Sequence, residues 1–197
     1  MLTIQMISFL LFLRLISATP LPEVQHDSPN TIHAASQDTL YWMPSIVLTW
    51  ADFQGVAPAS NPFAAYTFTI VTLEYNATIS GNIVKPTFKI RAAFNRKKSW
   101  VHDEPKSRTA VILAHEKAHF DIAEITARKL RKTFASKTFQ RSTYKSEIDS
   151  IYDRIIKEGE EMQDSYDRET DHSRISAAQE RWLTFVKKEL EALDLYK

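Results

Sequence analysis

From residue 40 to residue 101 the apolar side chains alternate with polar ones or fall in short β-branched and aromatic blocks. That pattern predicts strands, because successive side chains of a strand point to opposite faces. Residues 46–50 read as a short apolar strand, 65–75 and 83–94 as longer ones, and 99–101 as a last short one. Asp52-Phe53-Gln54-Gly55 and Ser80-Gly81-Asn82 read as turns, and residues 57–62, with two prolines, as a loop. Pro86 points to an edge or a bulge within its strand. The expectation is a small, mainly antiparallel sheet of three to five strands.

Beyond Asp103-Glu104-Pro105 the period changes. Apolar residues recur at three- and four-residue steps over 107–134, again over 142–166, and once more from about residue 173. Pro105 and Ser107 suit the start of the first of these helices. Gly159 reads as a soft spot in the second. Strands first and helices afterwards predict an α+β fold, a small antiparallel sheet followed by three helices.

The first 18 residues differ from the rest. An apolar run over 7–16 ends in Ser17-Ala18 and reads as a secretory leader; it is well below the roughly 20 residues needed to span a bilayer. Residues 19–39, with three prolines and little periodicity, read as a linker or N-terminal arm, and 40–197 as one domain. The absence of cysteine excludes disulfides, thiolate ligands and a cysteine nucleophile. Together these features predict a secreted or periplasmic bacterial protein, with no stable membrane insertion after leader removal. The formal net charge of +1 gives no reason to expect a nucleic-acid partner. The basic cluster running from Arg128 and Arg131 to Lys145 reads as a solvated face.

Within the first helix lies His115-Glu116-Lys117-Ala118-His119, a His-Glu-x-x-His motif. Two histidines four apart share one face of a helix, so both can reach one metal ion. A glutamate beside them can take a proton from water on that ion. The expected cofactor is Zn²⁺, held by His115 and His119, with Glu116 as the catalytic base. A third ligand must come from elsewhere. An antiparallel second helix returns Tyr166-Asp167-Arg168-Glu169-Thr170-Asp171-His172 to the motif. His172 is the first choice there, with Glu169 and Asp167 as alternatives and His102 as an outsider. Asp121 and Glu124 point away from the histidines and read as structural. Tyr166 and Tyr152 are candidate donors to an oxyanion.

Leu48-Thr49-Trp50-Ala51-Asp52-Phe53, Ala64-Ala65-Tyr66-Thr67, the run from His115 through Phe120-Asp121-Ile122-Ala123-Glu124, the segment from Tyr166 to His172, and Gln179-Glu180-Arg181-Trp182 together resemble the DUF922 family. The resemblance implies secretion, an α+β, zincin-like metallopeptidase domain with the motif on its first long helix, and zinc at His115 and His119. The expected function is a secreted zinc-dependent hydrolase, a peptidase acting on a peptide or protein substrate. The alternatives are a zinc amidase of the cell envelope and a non-catalytic exported binding or scaffold module.

Overall fold

The computed structural model describes residues 38–197, so the expected leader and the arm up to residue 37 lie outside the described residues. The fold is α+β. Strand β1 (Thr39–Tyr41) starts the sheet one residue before the expected domain boundary. Then come β2 (Ala65–Tyr66), β3 (Thr69–Ser80), β4 (Ile83–Asn95) and β5 (Trp100–Val101). Helix α1 (Ala110–Ala135), strand β6 (Phe139–Gln140), and helices α2 (Tyr144–Thr170) and α3 (Ser176–Ala192) complete the chain. All strand pairings among the described residues are antiparallel. The larger sheet runs β1-β4-β3, with β6 also on β4, and β2 pairs with β5 in a separate ribbon.

The long hairpin β3–β4 turns at Gly81-Asn82, where Gly81 has φ +60°, a conformation that costs glycine little. Pro86 falls where β4 has no partner on its second edge among the described residues, between β6 at Ile83–Val84 and β1 near Ala93. A residue that cannot donate to a ladder is tolerated on such an edge.

Two strand expectations are corrected. Residues 46–50 form no strand. Asp52 Oδ2 accepts hydrogen bonds from the Thr49 backbone N–H (2.8 Å) and hydroxyl (3.0 Å), and this local turn leads into a short 3₁₀ segment, Trp50–Asp52. A side chain that captures nearby backbone in this way competes with sheet pairing. Leu48 still anchors the segment in the core. The single strand expected over 65–75 is split in two. The Phe68 N–H donates to Ser99 Oγ at 2.9 Å, which interrupts the ladder and hands β2 to β5 and β3 to β4.

Helix α1 lies between sheet and helices and is apolar on both sides. Phe120, Ala123, Ala127, Leu130 and Phe134 face the sheet, where Phe120 meets Phe94 and Phe134 stacks on Phe88 at 4.2 Å between ring centres. Ala118, Ile122 and Ile125 face Tyr166 of α2 and Val186 of α3. His115 and His119 continue this second stripe toward the start of the helix. Two imidazoles thus occupy places where the spacing alone would put core residues.

Buried Glu124 ties these layers together. It accepts from Arg128 Nε at 3.0 Å and Arg131 Nη1 at 2.9 Å. Arg128 also donates to the Leu190 carbonyl, and Arg131 to those of Ile90 and Tyr196. These two arginines are therefore internal ties and not part of a solvated face. Asp121 accepts from Trp42 Nε1 at 2.8 Å. Asp121 and Glu124 have the structural roles expected of them.

Gly159 is not a soft spot but a contact. A Cβ added there would lie 2.5 Å from Thr126 Oγ1 and 2.9 Å from its Cγ2, so the glycine sets the approach of α2 to α1. Gly159→Ala is expected to destabilise the protein by about 1–2 kcal/mol, overpacking outweighing the roughly 1 kcal/mol gained in helix propensity. Urea unfolding checks this, and Thr126→Ala in the same chain should restore much of the loss. An increase in stability from Gly159→Ala alone would contradict the contact.

Candidate metal centre

Three pairs set the register of α2 against α1. Gly159 faces Thr126, Gln163 faces His119, and Asp167 faces His115. The helices are antiparallel, and the last turn of α2 arrives beside the motif. Helix α1 begins with Thr109, whose hydroxyl accepts from the Ile112 N–H at 3.2 Å, so the motif sits in its second and third turns.

Four side chains converge there. His115 Nε2 and His119 Nε2 are 3.2 Å apart. Asp167 Oδ1 lies 3.0 Å from the first and 3.1 Å from the second. His172 Nδ1 lies 3.4 Å from the same oxygen. One ligand atom each from His115, Asp167 and His172 falls within 4.8 Å of the others. Atoms each about 2.0–2.2 Å from one tetrahedral ion lie roughly 3.3–3.6 Å apart, and the spacings here are close to that. Asp167 pairs with no lysine or arginine among the described residues.

The electrostatics favour a cation. Burial lowers the basicity of His119, but the Asp167 carboxylate outweighs this and raises its pKa to about 9. Burial pushes Asp167 up, while hydrogen bonds from His115, His119 and His172 hold it well below the usual carboxylate range. In a metal-free chain a proton between these groups does the work of a positive charge.

His172 reaches the cluster from an unusual turn. Asp171, His172 and Ser173 have φ of 46°, 50° and 75°, three successive non-glycine residues in the left-handed region. Such residues cost of order 1–2 kcal/mol each and collect at functional sites. The His172 N–H donates to the Asp167 carbonyl at 3.1 Å, and its ring packs on Phe63 with centres 4.2 Å apart.

Glu116 is 5% exposed, on the neighbouring face. Its backbone carbonyl accepts from the Thr67 hydroxyl at 3.2 Å, which ties the motif to the break between β2 and β3. Its carboxylate accepts no hydrogen bond among the described residues. Tyr166 forms the floor: its ring stacks on His115 at 4.5 Å, and its fully buried hydroxyl has no hydrogen-bond partner among the described residues. Burial, with Glu116 and Asp167 nearby, pushes that phenol's pKa up.

The family profile described as "Bacterial protein of unknown function (DUF922)" matches residues 55–173. The chain belongs to the DUF922 family. The span shared with DUF922 holds His115, Glu116, His119, Asp167 and the whole of the left-handed turn; α3 lies beyond it. Comparison with curated proteins and with solved structures gives no match.

Of the residues singled out from sequence, His115, His119, Asp167 and His172 come together, with Glu116 beside them on α1. Glu169 does not join them: its carboxylate accepts from Trp182 Nε1 at 2.8 Å. His102 is also elsewhere, with Nε2 3.3 Å from the Asn61 carbonyl. Tyr152 donates its hydroxyl to the Val71 carbonyl at 2.8 Å, inside the core. Sequence reasoning missed the central place of Asp167 and gave no role at the site to Gln163 or Gln179, whose amide oxygens meet His119 Nδ1 at 2.6 Å and His115 Nδ1 at 3.2 Å. The four-residue step from Gly159 through Gln163 to Asp167 was the available signal.

Proposed function

We propose that this DUF922 protein is an exported, zincin-like zinc-dependent hydrolase that cleaves amide bonds in a peptide or protein. One observation carries the reading: His115 Nε2, His119 Nε2 and Asp167 Oδ1 converge to within 3.0–3.2 Å beside a glutamate. Two imidazole nitrogens and a carboxylate oxygen form a donor set suited to zinc, and two histidines with one carboxylate make up a known catalytic arrangement. The third ligand in this proposal is Asp167, with His172 orienting the carboxylate through its Nδ1. The apolar run over residues 7–16 supports export. No helix among the described residues is long and apolar enough to cross a membrane.

Zinc held by these atoms would polarise a scissile carbonyl and acidify a water molecule. The chain's own contribution is proton transfer and order. Glu116 takes a proton from the attacking water as the new carbon–oxygen bond forms, and delivers it to the amine as the carbon–nitrogen bond breaks. The Glu116 carboxylate is available because it accepts no hydrogen bond among the described residues. Its backbone is held by Thr67, and the Tyr166 ring excludes water from beneath His115.

The purified protein is expected to retain one zinc per chain by elemental analysis. It should hydrolyse a mixture of unstructured peptides in a manner abolished by chelation and restored by zinc. A folded protein that takes up no zinc, or one that binds zinc but releases no new amine from any peptide, would overturn the proposal.

A further inference from the structure

We infer that Gln163 and Gln179 are positioning residues that hold both motif histidines in one tautomer, with the proton on Nδ1 and the free electron pair of Nε2 turned into the centre. The inference rests on the metal-hydrolase reading for the ion in the centre, and on hydrogen bonding for the place of each ring proton.

Gln163 Nε2 donates to the His119 backbone carbonyl at 2.9 Å, and Gln179 Nε2 donates to that of Val111 at 2.9 Å. A carbonyl oxygen accepts and never donates, so the NH₂ end of each amide must face it. Each glutamine therefore presents its oxygen to an imidazole, at 2.6 Å from His119 Nδ1 and 3.2 Å from His115 Nδ1. An amide oxygen also only accepts, and so does the Asp167 carboxylate that faces both Nε2 atoms; with a metal ion between Nε2 and that carboxylate, the one hydrogen of each neutral ring goes to Nδ1. In the neutral ring the other nitrogen is then bare. The two bare nitrogens are the pair that meet at 3.2 Å beside Asp167.

The geometry is the same on both sides although the glutamines come from different helices, α2 and α3. In each case one amide bridges a backbone carbonyl of α1 and an imidazole of α1. Gln179 is 4% exposed, so its amide has little water to turn to. A neutral amide also differs from the carboxylates that often back metal-bound histidines. It fixes the ring without adding charge. Asp167 and Glu116 then supply two negative charges, which match a divalent cation. Two further carboxylates in these places would leave the centre anionic.

The first test uses the unaltered protein. Nitrogen-15 NMR of the histidine rings distinguishes the tautomers through couplings between ring nitrogens and ring carbon-bound protons. In the zinc-loaded protein His115 and His119 are expected to show hydrogen on Nδ1 and none on Nε2. Hydrogen missing from Nδ1 of either ring would overturn the inference, and so would a folded chain that takes up no zinc. Nδ1–H on both rings of a zinc-loaded protein that cleaves no peptide would uphold it while the hydrolase reading fell.

The second test uses variants. Gln163→Met and Gln179→Met keep side-chain length but lose the amide. Each is expected to weaken cobalt(II) binding, followed by its visible absorption, by about 10–100-fold. Gln163→Glu keeps the acceptor and should recover affinity to within about tenfold of the original, which a purely structural loss would not allow. Melting temperatures of the metal-free variants are measured alongside. Unchanged cobalt affinity in a folded Gln163→Met chain would count against the positioning role.

Discussion

Glu116→Gln is expected to cut peptide hydrolysis by about 10²–10⁴-fold while zinc content and fold remain those of the parent. Glutamine matches glutamate in size, and Glu116 is buried without a hydrogen bond to its carboxylate among the described residues. The substitution therefore removes a base without removing a tie. The Thr67 contact is to the backbone carbonyl of residue 116 and survives the change. His115 and His119 keep their places because their register comes from α1 and its contacts with α2 and α3. The loss should appear in kcat, since proton transfer belongs to the transition state and not to binding. Equal hydrolysis by parent and variant, with zinc bound in both, would remove Glu116 from the mechanism. Loss of zinc together with activity would instead assign Glu116 a ligand role.

The same neighbourhood shows how far the sequence could be read. The helices were legible because their apolar stripes persist for several turns, and α1 in particular carries two: 120, 123, 127, 130 and 134 toward the sheet, and 118, 122 and 125 toward the other helices. The return of α2 to the motif was legible too, since two long antiparallel helices leave little choice. Short strands were less so. Residues 46–50 have strand composition, yet Asp52 draws the Thr49 backbone into a turn. The break at residues 67–68 depends on a hydroxyl 31 positions away, at Ser99, which no local window contains.

The end of α2 is the instructive case. Periodicity placed its last residue near 166, but the helix continues through Thr170. Its stop is Asp171 in the left-handed conformation, a place more often marked by glycine. With the helix ended early, nothing in the spacing set Asp167 apart, and residue type put His172 first, with Glu169 and Asp167 as alternatives. With the helix extended, they separate. Asp167 falls one four-residue step beyond Gln163, on the face toward α1. Glu169 is two residues further on, about 200° around the axis, and meets Trp182 of α3. His172 lies past the cap and approaches through a strained turn.

That separation gives the second large effect. Asp167→Ala is expected to lower zinc affinity by about 100-fold or more, because it removes an oxygen that lies within 3.0–3.1 Å of both paired nitrogens. His172→Ala should cost about tenfold, since it removes only the contact at 3.4 Å that orients Asp167. Glu169→Ala should leave zinc binding unchanged, its carboxylate being engaged with Trp182. Calorimetric titration of zinc into metal-free protein measures all three. The metal-free Asp167→Ala chain also loses the carboxylate that raises the pKa of His119, so the variant should bind a proton there less tightly as well. Proton and metal compete for the same nitrogen, so a weaker hold on the proton would by itself favour metal. A fall in zinc affinity despite that advantage reports the loss of the carboxylate itself. If His172→Ala proves the more damaging change and Asp167→Ala leaves affinity intact, the third place belongs to the imidazole and the carboxylate is its support.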